Sequence, residues 1–143
     1  MATVRNILVG KRKELISITP DTIVYHALEI MHEKNISALL VLENDKLVGI
    51  FTERDYARKV ILQGRSSKDT KIAEIMTEDL VTVSPDTSIE ECMHLMTNHF
   101  IRHLPVTSGK DLDGIISIGD VVKFIIEEQK FIIANLEHYI TRG

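Results

Sequence analysis

The stretch LISITPDT (Leu15–Thr22) returns as LVTVSPDT (Leu80–Thr87), and LVGIFTERDYARKVI (Leu47–Ile61) returns as LDGIISIGDVVKFII (Leu112–Ile126). Both returns lie at an offset of 65, so Leu15–Ile61 aligns with Leu80–Ile126 without a gap. Of the 47 paired positions 13 are identical, among them Pro20/Pro85, Asp21/Asp86, Thr22/Thr87, Gly49/Gly114 and Asp55/Asp120. Chance pairing gives roughly three, so the chain is a duplication, and self-similarity at a fixed period means repeated structure. A fainter echo precedes each copy, where Val4, Ile7 and Leu8 return as Ile72, Ile75 and Met76. Two like units on one chain are expected to pack about a pseudo-two-fold axis, with two related pockets in the cleft between them.

Each copy reads as strand, helix, strand, strand, helix. The first strand, Leu15–Ile18 or Leu80–Val83, stops at Thr/Ser-Pro-Asp-Thr. Ile23, Ala27, Ile30 and Met31 then recur at helical spacing, as do Ile89, Cys92, Met93 and Met96. Thr22 reads as the cap of the first helix, with Tyr25 at the capping-box position, and Thr87 with Glu90 as a full box on the second. After Asn35 and Phe100 the period changes: Ala38–Leu42 and Leu47–Thr52 form a hairpin across Glu43–Lys46, matched by Leu104–Thr107 and Leu112–Ser117. The fold class is therefore α/β (α+β), with two pseudo-symmetric β-α-β-β-α half-domains packed together, since neither half buries both faces of its sheet alone. Residues 4–62 form the first repeat, 63–71 (QGRSSKDTK) a polar linker and 72–126 the second repeat, whose last helix runs on through 127–141. Along that extension Val122, Ile125, Gln129, Ile132, Leu136 and Tyr139 keep 3-4 spacing, and Ile126, Ile133 and Ile140 widen the stripe. Apolar surface of that extent calls for a partner, and a homodimer is expected.

At 143 residues, 44% apolar and 27% charged, the composition is that of a globular protein. A net charge of −4 argues against general nucleic-acid binding. No apolar run approaches the ~20 residues of a membrane span, and the first residues hold no signal-peptide core, so a cytoplasmic location is expected with no membrane partner. The single Cys92 cannot form an intrachain disulfide and reads as a small buried hydrophobe.

Two constellations can carry chemistry. Each copy ends its last strand with a hydroxyl three residues before an acid at a helix start, Thr52-Glu-Arg-Asp55 and Ser117-Ile-Gly-Asp120. The pattern is a capping box, and it also sets a hydroxyl and free N–H groups where an anion binds, with a carboxylate able to accept ribose hydroxyls. The second is Arg102-His103-Leu104-Pro105, where a planar fork of donors and a titratable ring suit phosphate. The matching positions of the first copy are Ser37 and Ala38, so the two pockets should differ.

The Pro-Asp-Thr strand exit, the Gly-h-h-Thr/Ser-x-x-Asp helix start and the Arg-His-Leu-Pro-Val hairpin together resemble the tandem CBS-domain module, named after cystathionine β-synthase. The resemblance covers Val4–Ile126; the runs Thr52–Val60 and Leu136–Ile140 look like its small stand-alone bacterial branch and plant organellar relatives. It implies a regulatory module without catalytic activity, whose ligand is an adenine nucleotide (AMP, ADP or ATP) held in the central cleft. It further implies that Asp55 and Asp120 hold ribose and that Thr52 and Ser117 meet phosphate. Ser17, Ile18, Thr82 and Val83 on the first strands, with Ser37, Ala38, Arg102, His103 and Pro105 on the hairpins, would complete the pockets. NAD(H) is the alternative ligand, with Arg54 serving a second phosphate, and the regulated partner is an unidentified target protein. Unit one departs from the pattern in having Leu40 where unit two has Pro105. Three rival readings are weaker. The sequence has no nucleophile–base pair and no P-loop, and His94, His99 and His103 do not share one helical face for a metal. The basic residues Arg54 to Lys71 are expected near the phosphates or in solvent rather than on nucleic acid.

Overall fold

The computed structural model describes residues 2–11 and 15–142. The chain forms two compact units, and neither is contiguous in sequence. The first holds the first repeat up to Thr82 together with Thr107–Leu112; the second joins the N-terminal segment through Lys11 to Val83–Val106 and to the chain from Asp113 onward.

In the first unit β1 (Ser17–Ile18) pairs in parallel with β2 (Ala38–Glu43), which pairs antiparallel with β3 (Lys46–Thr52). The β2–β3 turn is made by Asn44 and Asp45 at φ 51° and 63°, left-handed at both central positions, which is why short polar residues stand there. Helix α2 (Val24–Lys34) turns Val24, Ala27 and Met31 onto Leu39, Val41 and Phe51, and Ile18, Val60, Ile72 and Ile75 close the core. The buried face runs through Val24, and Ile23 lies outside the helix as its cap residue. Helix α2 has no side-chain cap, contrary to the expectation for Thr22. Its first N–H groups instead reach the Thr70 and Ser67 carbonyls, both at 2.9 Å, so the linker loop satisfies them and the Thr22 hydroxyl accepts from Thr19 N–H at 3.2 Å. The second helix of this repeat is a single α turn, α3 (Glu53–Asp55), widening into π-helical turns over Tyr56–Ile61.

The second unit keeps the plan with changes. Val83 makes a lone parallel bridge to Val106, the same register as Ile18 to Val41, in place of the full strand expected over Leu80–Val83. Helix α4 (Ile89–His99) is capped by Ser88, whose hydroxyl accepts from Glu91 N–H at 3.0 Å, one residue later than the expected Thr87–Glu90 box. The reason is that Thr87 is occupied closing the turn behind Pro85, accepting from Ser84 N–H at 3.0 Å. Ile89, Cys92 and Met96 face inward, while Met93 is exposed. Burial raises the Cys92 thiol pKa, with Glu91 adding to the effect, so Cys92 behaves as the expected buried hydrophobe. Both 11-residue helices end left-handed, at Asn35 and Phe100 (φ 54° each); Asn tolerates this conformation better than Phe. Strands β4 (His103–Ser108) and β5 (Asp111–Ser117) form a hairpin over Gly109, and α5 runs from Ile118 to Arg142. No described helix is long and apolar enough to cross a membrane.

The repeated Pro-Asp-Thr has a structural cause. In the first unit the Pro20 and Thr22 carbonyls accept the N–H groups of Ala73 (2.9 Å) and Ile72 (2.8 Å), at the start of a 3-10 turn over Ile72–Glu74. In the second unit Pro85 and Thr87 accept from Arg5 and Val4, both at 2.9 Å, at the start of α1 (Val4–Val9). The segment upstream of each repeat therefore docks on the turn of the other repeat, and seats a side chain against the glycine that both repeats carry in the hairpin. A Cβ on Gly49 would lie 2.7 Å from Met76 Sδ and 3.1 Å from the Thr77 carbonyl; on Gly114 it would lie 3.1 Å from a Leu8 methyl.

Gly49→Ala is expected to cost about 1–3 kcal/mol by overpacking, and Gly114→Ala less. A leucine methyl can swing aside, whereas Thr77 is backbone-paired to Ile50 at 2.9 and 3.0 Å. Urea unfolding midpoints of the two variants check the order.

Candidate functional site

In each unit the last hairpin strand delivers a hydroxyl and an acid to a helix start. In the first unit Thr52 N–H donates to Asp55 Oδ2 (3.0 Å) and Asp55 N–H donates to the Thr52 hydroxyl (3.2 Å), the reciprocal box read from the sequence. Ala38 lies opposite Thr52 across the hairpin, and the Ser37 carbonyl accepts the Glu53 N–H at 3.2 Å, so Ser37, Ala38, Thr52 and Asp55 meet at one end of the sheet. Ser37 and Glu53 also line a groove of about 350 Å³ with Leu28, Met31 and His32. Ser17 is exposed beside Leu40; the Ile18 side chain belongs to the core, and Arg54 is exposed on α3.

In the second unit Ser117 N–H donates to Asp120 Oδ2 (2.8 Å) and Asp120 N–H to the Ser117 hydroxyl (3.1 Å). The Arg102 carbonyl accepts the Ile118 N–H at 2.8 Å, which places Arg102 at the start of α5 in the position Ser37 holds beside α3. His103 opens β4 and Pro105 is buried within it, its carbonyl accepting Val83 N–H at 3.0 Å. Val83 is buried and Thr82 exposed just before it. Arg102, His103, Pro105, Val83, Ser117 and Asp120 thus lie in one unit, and Ser17, Ile18, Ser37, Ala38, Thr52, Arg54 and Asp55 in the other.

Each acid also has a cation that the motif does not contain. Lys59, one turn after Asp55, sits 3.0 Å from its Oδ1, and the Thr77 hydroxyl donates to the same oxygen at 2.9 Å. Lys11, far away in sequence, sits 2.7 Å from Asp120 Oδ2 and donates to the Ile115 carbonyl. The Lys59 contact is readable as an i, i+4 pair. Lys11 and Thr77 carry no local signal. The basic run after Asp55 is partly neutralised in the same way: Arg58, Lys59, Gln63 and Arg65 line a groove of about 370 Å³ in which Arg65 pairs with Glu74 at 3.4 Å.

These contacts set the titration of the second site. Burial pushes the Asp120 carboxyl up, but the Lys11 ammonium and the Ser117 N–H outweigh it and hold the pKa below the usual range. Its contribution to stability is present above the ordinary carboxylate range and is lost as pH falls through the lowered value. For His103, burial and then Lys11 push the pKa below 6.5; Asp120 pulls the other way, and Arg102 adds a smaller push down. The imidazole is therefore neutral in the folded chain at neutral pH. Stability falls as pH drops from the ordinary imidazole value to the lowered one, because the unfolded chain binds the proton first.

The sequence profile of the CBS domain matches residues 4–61 and 72–127. The CBS domain-containing protein CBSX3, mitochondrial, of Arabidopsis thaliana is 47% identical over 130 residues; the match covers 87% of this chain and 63% of that protein. A solved structure of a putative signal-transduction protein with CBS domains from Burkholderia ambifaria superposes with a TM-score of 0.87 at 51% identity, over 90% of this chain and 96% of that one. The CBS domain pair of protein MJ0100, solved in complex with 5′-methylthioadenosine and S-adenosyl-L-methionine, matches with a TM-score of 0.79 at 26% identity, over 90% of this chain and 98% of that one. Two profile matches, each holding one hydroxyl–acid box at a helix start, show that the chain belongs to the CBS-domain family as a tandem pair, a regulatory ligand-binding module.

Proposed function

We propose that this CBS pair senses adenine nucleotides (AMP, ADP or ATP) and passes their occupancy to an unidentified target protein, with no catalytic step of its own. The observation that carries this is the recurrence of a hydroxyl, a carboxylate and a helix N-terminus in one arrangement, twice. A carboxylate accepts two ribose hydroxyls, the hydroxyl and helix N–H groups suit a phosphate, Lys11 and Arg102 add positive charge near Asp120, and His103 offers a ring that can take up a proton. The adenosine-containing ligands of the MJ0100 pair support the choice of nucleoside. The mass of the molecule that co-purifies tests it: an adenine mononucleotide is expected, NAD(H) would shift the reading to a dinucleotide, and a ligand without adenosine would overturn it.

Phosphate should be recognised through Arg102 and His103. Arg102→Ala should weaken AMP about 10-fold or more while leaving adenosine nearly unchanged, as expected for a charge-assisted bond of roughly 1.5–3 kcal/mol. A bound phosphate raises the His103 pKa from its lowered value, so binding takes up a proton. AMP affinity should therefore rise as pH falls through the window between the free and bound values, and His103→Gln should flatten that dependence. Equal losses of adenosine and AMP in Arg102→Ala would return Arg102 to a structural role.

The target surface includes α5, and the chain associates with a second copy through it. Ile132, Leu136 and Tyr139 are 49%, 55% and 77% exposed, on the 3-4-spaced stripe that two identical helices can interdigitate. Light scattering should give a dimer or larger, and Ile132→Glu with Leu136→Glu should dissociate it, since unpaired charges would have to be buried. A monomeric wild type at micromolar concentration would overturn this part.

A further inference from the structure

The two acids are alike in sequence and unlike in what the structure leaves them to do. A carboxylate has about four lone-pair positions. On Asp55, Oδ2 accepts the Thr52 N–H (3.0 Å) and hydroxyl (3.1 Å), while Oδ1 accepts the Thr77 hydroxyl (2.9 Å) and the Lys59 ammonium (3.0 Å). Its side chain is only 6% exposed. Thr77 in particular cannot easily leave. Thr77 is held by paired backbone bonds to Ile50, and Lys59 rises from the same helical segment and bonds the Thr77 hydroxyl as well, at 3.2 Å. A ribose diol would have to displace several buried bonds at once to reach Asp55.

Asp120 is different. The described bonds to its carboxylate fall on Oδ2, from Ser117 N–H and from Lys11, and its side chain is 24% exposed. Lys11 is not part of α5. It follows the C-cap of α1 and reaches Asp120 on its own flexible stem, with the Ile115 carbonyl as a second acceptor. A lysine ammonium is a compact charge that exchanges a carboxylate for a phosphate by rotation about its side-chain bonds. The Arg102 carbonyl accepts the Ile118 N–H at 2.8 Å, two residues before the Asp120 that Lys11 contacts at 2.7 Å, and both cations act on the His103 ring, so a phosphate at this helix start would lie near Lys11 as well.

Resting on the nucleotide reading above, we propose that the chain binds a single nucleotide, at Asp120, while Asp55 is a locked structural acid. Lys11 covers Asp120 in the free chain and moves onto the phosphates of the bound nucleotide. Lys11 is then a specificity residue, since it penalises adenosine, which must displace it without giving it a new partner, and it rewards phosphorylated nucleosides.

Calorimetry of the full chain with adenosine, AMP and ATP tests this. One equivalent per chain is expected, and Asp120→Asn should abolish saturable binding with the circular dichroism unchanged. Lys11→Met should tighten adenosine and weaken ATP, narrowing the ATP-to-adenosine affinity ratio about tenfold. Two equivalents per chain, an unchanged ratio in Lys11→Met, or full binding by Asp120→Asn would each overturn the inference while leaving the nucleotide reading intact. If Asp120→Asn does not fold, the stoichiometry and the Lys11→Met ratio decide alone. Failure of the wild type to bind all three compounds would overturn the nucleotide reading and this inference with it.

Discussion

The first N–H groups of a helix have no partner inside the helix, and in this protein two proline-containing turns supply them. Pro20 and Thr22 offer their carbonyls to Ile72 and Ala73; Pro85 and Thr87 offer theirs to Val4 and Arg5. Proline fixes its own φ and donates no hydrogen bond, so the turn presents acceptors in a set direction. The remaining features of each unit follow from this docking. It brings Met76 over Gly49, where a Cβ would lie 2.7 Å from its sulfur, and Leu8 over Gly114, where a Cβ would be crowded by a methyl group at 3.1 Å. It also carries Thr77 to the edge of β3 beside Asp55, and Lys11 to the carbonyl of Ile115 beside Asp120. A structural bond made by backbone atoms thus determines which side chain reaches each acid.

The hydroxyl–acid box is a cap in both units, and the capping role is compatible with binding because the two use different atoms. Capping uses one carboxylate oxygen and one hydroxyl lone pair. Whatever remains is open to a ligand or to the protein itself. In the first unit the protein uses it, through Lys59 and Thr77; in the second, Lys11 joins the capping N–H on Oδ2. Burial is the main cause of the depressed pKa of His103, and Lys11 adds to it; the same Lys11 ammonium holds the pKa of Asp120 down against burial.

Much of this was legible in the residues. The duplication, the strand–helix–strand–strand–helix order of the first repeat, both hairpins, the burial of Cys92 and the two boxes all follow from spacing, turn chemistry and the constant offset of 65; the first strand of the second repeat is reduced to the Val83–Val106 bridge. The misreadings have a common origin. Thr22 and Thr87 have the right residue type for an N-cap, but each closes the turn behind its proline, so α2 is capped by the linker carbonyls of Ser67 and Thr70 and α4 by Ser88. Local propensity identified candidates for the cap, and a competing hydrogen bond a few residues away chose among them.

The sequence by itself determined what is periodic or local: the repeat, the hydroxyl–acid pairing three residues apart, and Lys59 one turn from Asp55. Only the tertiary structure decided that Thr77 and Lys11 complete the two acids, and therefore that the acids differ. The physical reason is range. A capping box and an i, i+4 pair are set by the geometry of one helical turn, which repeats faithfully wherever the motif repeats. Lys11 and Asp120 are brought together by an N-terminal segment docking on Pro85 and Thr87, a contact between distant parts of the chain that leaves no spacing to read.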